Sequence, residues 1–165
     1  MAVKTLEDLF IHELSDIYSA EKQLAKALPK LARAAESSDL ADAFTTHLEE
    51  TQGQIERIDQ VVEMLDIKLK RIKCAAMEGL VEEGKEVIEE VEKGPVRDAA
   101  LIGGAQKVEH YEIASYGTIC VLAKQLGYDN KAIQLLKDTL AEEKATDEKL
   151  TLLAESSVNA QAAER

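Results

Sequence analysis

Apolar residues return at alternating steps of three and four along four long stretches of the chain, the spacing that lines one face of an α-helix. The first series is Phe10, Leu14, Ile17, Glu21, Leu24, Leu28, Leu31 and Ala35, and the second is Phe44, Leu48, Thr51, Ile55, Ile58, Val62 and Leu65. The third is Ile102, Ala105, Glu109, Glu112, Tyr116, Ile119, Ala123 and Leu126, and the fourth is Ile133, Leu136, Leu140, Glu143, Asp147, Leu150 and Ala154. A shorter amphipathic run lies between the second and third. The pattern predicts helices over about 5–36, 40–65, 75–92, 96–126 and 130–155, with a small, polar, frayed tail at 156–165. Thr5 followed by Glu7 and Asp8 reads as a helix start, and Gly127 reads as a helix stop. Pro29 falls inside the first series and predicts a kink there. Ser37-Ser38-Asp39 is a short connection, which makes its two helices antiparallel neighbours. The connection from 66 to 94 is long enough to run from one end of a bundle to the other. The expected architecture is therefore a single all-α domain: an antiparallel four-helix bundle of two hairpins, joined by a long crossover that carries a short fifth helix.

Acids interrupt these apolar series. Glu21, Glu109, Glu112, Glu143 and Asp147 all stand where leucines belong, and all lie near mid-helix. A carboxylate taken out of water is costly unless something compensates its charge. No lysine or arginine shares a series with them. Heights along the helices agree as well. At ~1.5 Å per residue, Glu112 and Glu143 each sit roughly 20 Å from the turn near Gly127, and Glu109 and Asp147 roughly 25 Å from it. In the first hairpin, Glu21 and Gln54 are each roughly 21 Å from their own turn. Glu50 lies within a side chain's reach of that level, on a stripe beside the second series that also holds Ala43, His47, Gln54 and Val61. His47 is about 10 Å off level with Glu21, which places it outside the ligand set. His110 reads as a surface residue beside its series. Carboxylates converging from several helices point to bound cations, and oxygen donors suit iron, manganese, magnesium or calcium better than structural zinc.

Charge and cysteine content narrow the reading further. The chain has 165 residues, and 20 basic against 32 acidic side chains leave a net charge of −12. Nucleic acid and anionic membranes need a basic face, so neither is an expected partner. The basic run Lys68 to Lys73 reads as a solvated turn. Cys74 and Cys120 are isolated, with no CxxC pair, which fits a reducing compartment. No leader segment or membrane-length apolar run is evident, so the expected location is the cytoplasm. Val108, Ile113 and Cys120 lie on the outer side of the third long helix and suggest a homodimer.

Four stretches carry a family resemblance: LEDLFIHELSDIYSAEKQLAKAL, HLEETQGQIERID, RDAALIGGAQKVEHYEIASYGT and LAEEKATDEKL. Together with the acid pattern they resemble the ferritin-like bundles that bind two metal ions, and more closely the bacterial stress-protein family typified by YciF and YciE. The resemblance implies a di-metal centre with two divalent ions, iron before manganese. It implies Glu21 as a ligand from the first helix and Glu50 as a bridging ligand from the second. Glu109 and Glu112 would serve from the third long helix, and Glu143 and Asp147 from the fourth. Ferritin-like motifs commonly place a histidine three or four residues after the glutamate; here Gly53 and Gln54 follow Glu50, and Asp147 follows Glu143. The expected donor set is thus nearly all oxygen, with Gln54 a further carbonyl candidate. Tyr18 and Tyr116 stand one turn from Glu21 and Glu112 and could bond to them or simply fill the core. Two functions compete. One is redox chemistry on peroxide, dioxygen or Fe(II), with electrons from a separate, unknown donor. The other is a non-enzymatic stress-response binding protein whose metal is structural.

Overall fold

The computed structural model describes residues 2–164. Five main helices follow one another: α1 (Leu6–Ala34), α2 (Ser38–Met64), α3 (Ala75–Glu90), α4 (Pro95–Gln125) and α5 (Asn130–Leu153). Helix α5 continues through one π-helical turn at Ala154–Val158 into a short α6 (Asn159–Ala163). The expected frayed tail is therefore helical. Val158 is 2% exposed, and both the π-turn and α6 pack against α4.

Local chemistry sets the helix ends. The Thr5 hydroxyl accepts from the Asp8 amide at 3.0 Å, and the Asp8 carboxylate accepts from the Thr5 amide at 3.1 Å. A capping contact of this kind is worth about 1 kcal/mol. Gly127, at φ 68°, ends α4 in the left-handed region. Its amide then bonds to the Lys124 carbonyl, and the Tyr128 amide reaches the Ala123 carbonyl. Asp66, at φ 51°, performs the same service for α2 without a glycine. Helix α1 is continuous through Pro29.

Helices α1 and α2 form one hairpin and α4 and α5 the other; α1 packs beside α4, and α2 beside α5. Helix α3 lies outside these four, against α1 and α4. The crossover before it is extended and is strapped to α1 by a polar stripe at one-turn spacing. The Ser15 hydroxyl accepts from the Lys70 amide at 2.9 Å, and the Ser19 hydroxyl accepts from the Cys74 amide at 2.9 Å. Gln23 donates to the Cys74 carbonyl at 3.1 Å. Asp98, in the first turn of α4, fixes the other end of the bundle. Its two carboxylate oxygens accept from the Glu36 and Ser37 amides, each at 2.8 Å. This docks the start of α4 onto the α1–α2 turn and sets the relative height of the two hairpins.

Within this frame the α1 and α4 series face the core much as their spacing predicts. Helix α2 is turned. Its buried residues are Leu40, Phe44, His47, Thr51, Gln54, Ile58 and Val61, whereas Leu48, Ile55, Val62 and Leu65 are only half-buried. The inward face thus takes in members of the flanking polar stripe. Val108 and Cys120, expected on an outer face, are 7% and 8% exposed: Val108 faces α3 across a shared cavity, and Cys120 lies near Lys137 of α5. They offer no surface for a second copy.

Candidate metal centre

Helices α1, α2, α4 and α5 each send polar side chains into the middle of the bundle. Glu21, Glu109, Glu112 and Glu143 are all 0% exposed, and His47 is 3% exposed. His47, Glu109, Glu112 and Glu143 can each present one ligand atom such that all four atoms lie within 4.8 Å of one another. The His47 Nε2 is 2.8 Å from Glu109 Oε1 but lacks hydrogen-bond geometry, so neither atom is satisfied by the approach. Glu21 adjoins Glu112 and Glu143, and Tyr116, itself fully buried, donates to Glu21 Oε1 at 2.8 Å.

Hydrogen-bond bookkeeping separates this cluster from ordinary buried polar groups. Both oxygens of Glu109, Glu112 and Glu143 lack a partner, as do Glu21 Oε2, His47 Nε2 and Gln54 Oε1. Native interiors leave few such atoms, and each one costs about 1–3 kcal/mol, more if charged. Here those of His47, Glu109, Glu112 and Glu143 converge on one point. Without a cation the cluster holds its protons: burial first, then the Glu143 carboxylate, pushes Glu109 up to about 12. Burial, with neighbouring carboxylates second, raises Glu21 and Glu112 well above the usual carboxylate range. Burial lowers the pKa of His47, which keeps the imidazole neutral with a free lone pair.

The remaining sequence candidates lie at the margin. Glu50 is half-buried and accepts from the Thr146 hydroxyl at 3.1 Å. Asp147 sits at the edge of α5, where it accepts from Gln106 at 3.3 Å and faces His110 Nε2 at 3.2 Å. Gln54 is buried, with its amide nitrogen 3.5 Å from Glu142. Glu142 is paired with Arg57 in a two-pronged contact beside Thr139. Tyr18 bonds to Asp59 at 2.9 Å rather than to a cluster carboxylate. The residue that sequence reasoning placed outside is His47, which makes the interior donor set one imidazole with carboxylates. That mixture suits iron and manganese, whereas magnesium and calcium favour oxygen alone. The orphaned atoms and the donor chemistry both fit a bound divalent ion.

Four antiparallel helices enclosing a dry, acidic, histidine-containing centre define the class of protein. The chain belongs to the family described as a domain of unknown function, DUF892, whose model matches residues 5–163. It is 68% identical over 163 residues to Protein YciF of Escherichia coli (strain K12), with 98% of each chain covered. The fold matches the crystal structure of the E. coli stress protein YciF at a TM-score of 0.91, covering 95% of this chain and 99% of that one. YcfI of Rhodopseudomonas palustris matches at 0.86 with 47% identity, covering 90% and 94%. A protein of Xanthomonas campestris pv. campestris, 24% identical, shares the fold at 0.77 over 97% and 98%. No helix among the described residues is long and apolar enough to cross a membrane.

Proposed function

We propose that this protein is a ferritin-like, stress-associated protein that binds two divalent metal ions, iron before manganese, and supports redox chemistry on dioxygen, peroxide or Fe(II). The observation that carries the reading is a set of four buried side chains from three helices, His47, Glu109, Glu112 and Glu143, whose ligand atoms come within 4.8 Å of one another and lack hydrogen-bond partners. Two layers one helical turn apart support a pair of ions: His47 with Glu109, and Glu21 with Glu112. Glu143 lies close enough to influence the protonation of all four. Glu50, three residues after His47, is the further carboxylate available to the first layer. Metal bound there would supply the electrons for reducing a small oxidant. The chain's own residues do the rest. His47 contributes a neutral nitrogen, Tyr116 holds one oxygen of Glu21 and leaves the other free, and the apolar core keeps water out. The stress role comes from the E. coli relative. A cytoplasmic location fits the two free, buried cysteines, and a homodimer formed through a face other than Val108 and Cys120, with an external electron donor, completes the proposal.

Titration of metal-free protein with Fe(II) in air tests it. The expected result is two ions per chain and a new absorbance band as they oxidise. Absence of both binding and peroxide turnover removes the reading. A second reading has its own support: the ligand set joins helices of both hairpins, so an ion there would stitch the bundle together without any reaction. The R. palustris relative carries a provisional designation as a structural protein. In that case Glu109→Gln and Glu143→Gln lower the melting temperature of metal-loaded protein, and no redox turnover exists to be lost.

A further inference from the structure

An apolar cavity of about 100 Å³ lies between α1, α3 and α4. Its walls include Leu24 and Leu28 of α1, Leu80 and Val87 of α3, and Leu101 and Val108 of α4. Its lining joins two unlike places. At one, Glu83 and Lys107 pair at 3.3 Å across the α3–α4 gap with more than half of each side chain exposed. At the other is His47, almost wholly buried, whose unpartnered Nε2 belongs to the carboxylate centre. The cavity therefore borders both an exposed ion pair and the buried imidazole. Helix α3 is its roof: Met77 is the one fully buried residue of that helix, and Leu80, Val81 and Val87 stay half-buried because they face the cavity. At the wall, a Cβ built on Gly104 meets nothing within 4 Å.

We infer that this cavity is an entry and holding site for dioxygen on its way to the His47 side of the centre. The inference rests on the redox reading above and selects among its substrates. Size excludes larger ligands, since pockets for drug-sized molecules run to about 300–1,000 Å³. Wall chemistry excludes the polar candidates. A hydrated Fe(II) ion would surrender its water to walls that, apart from Glu83 in its pair with Lys107, return no ligand but His47, and hydrogen peroxide would leave its hydroxyls unbonded among the apolar side chains. Dioxygen loses nothing on entering, and small apolar cavities of this kind stay dry and take up apolar gases.

Xenon under pressure in crystals of the metal-free protein is the direct probe. The expected result is one xenon site among Leu28, Leu101 and Val108, abolished by Gly104→Leu. Val87→Phe closes the cavity from the opposite wall and serves if the first variant folds poorly. The second readout uses Fe(II)-loaded protein in air, two Fe(II) giving one electron each to one dioxygen, which takes two protons from water and leaves as hydrogen peroxide. Occlusion slows this oxidation at least about tenfold and leaves oxidation by added peroxide unchanged. No xenon site, or a filled cavity with an unchanged dioxygen rate, overturns the inference. Xenon uptake in a protein that binds no metal overturns the redox reading instead, and the assignment to dioxygen falls with it.

Discussion

Asp98 opens α4, and Glu109 and Glu112 lie about three to four turns further along the same helix. All three carboxyls are buried, at 2%, 0% and 0% exposure. Asp98 receives a backbone N–H on each oxygen at 2.8 Å, and in return it holds the α1–α2 turn. Glu109 and Glu112 receive none. One buried acid of this helix thus receives donors, from the α1–α2 turn, where it has a structural task, and two others receive none where several carboxylates meet. The lack of protein donors at the centre is a property of that location, not a general failure of the fold to satisfy buried acids. Metal affinity separates the two regions most strongly. Glu143→Ala removes a direct donor and is expected to weaken Mn(II) binding at least ~100-fold, since loss of even an outer hydrogen bond to a ligand costs 10–100-fold. Asp98→Ala, measured by the same calorimetric titration, is expected to leave the affinity within about twofold. Equal losses in both variants would erase the distinction.

Stability sharpens it by sign. Hydrogen bonds to a charged acceptor contribute about 1.5–3 kcal/mol each, so Asp98→Ala is expected to cost about 3 kcal/mol in urea unfolding. In metal-free protein Glu112→Gln is expected to be neutral or stabilising, because it removes an ionisable group from a dry interior that offers it no partner. A large loss in both variants would mean that the centre is held by its own protons rather than waiting for an ion.

Protonation gives the next test. In the metal-free fold Glu21 and Glu112 are raised and Glu109 reaches about 12, while an unfolded glutamate titrates near ~4.3. Between those values the folded state binds more protons than the unfolded one, so stability falls as pH rises. The contribution is complete below about pH 4 and is lost progressively as the pH climbs toward the folded values. The melting temperature of metal-free protein is therefore expected to decline from about pH 5.5 to about pH 8.5. Metal-loaded protein should show the reverse slope, because binding requires the carboxylates to deprotonate. Parallel slopes with and without metal would break the link between these acids and the ion.

The bundle was legible because periodicity reports burial, and α1 and α4 bury their apolar series together with the acids inside it. Helix α2 was misjudged by the same rule. Following Leu48, Ile55 and Val62 rotated its face away from His47 and Gln54, the polar residues that turn inward. His47 was also set aside on height, measured against Glu21. The missing reference was Asp98, which places the start of α4 at the α1–α2 turn. Counted from there, Glu109 and His47 each lie roughly 15–16 Å along their helices, on one level. A single acid in a helix's first turn gives no sign that it will bind the backbone of a distant connection, so that register had no sequence signature. The C-terminal turn of α5 escaped for a similar reason: small, polar residues with one valine look like a tail until α4 is present to receive Val158.

The smallest expected effect belongs to Asp147, which shares the α5 series with Glu143 yet lies on the other side of the dividing line. Its side chain is 21% exposed, one oxygen accepts from Gln106, and the other faces the largely exposed His110. Thr151 gives Gln106 a second acceptor at 2.8 Å, so the amide is not stranded if Asp147 changes. Exposed pairs of this type contribute about 0–1 kcal/mol. Asp147→Asn keeps the shape and one acceptor, and is expected to shift stability by less than about 0.5 kcal/mol while leaving the number of Mn(II) ions bound per chain unchanged. One position separates it from Thr146, which holds Glu50 at 3.1 Å. If Asp147→Asn halved the metal content, the centre would extend to the helix edge. An acid with protein partners would then be as much a ligand as an acid without them, and the rule drawn from α4 would not hold on α5.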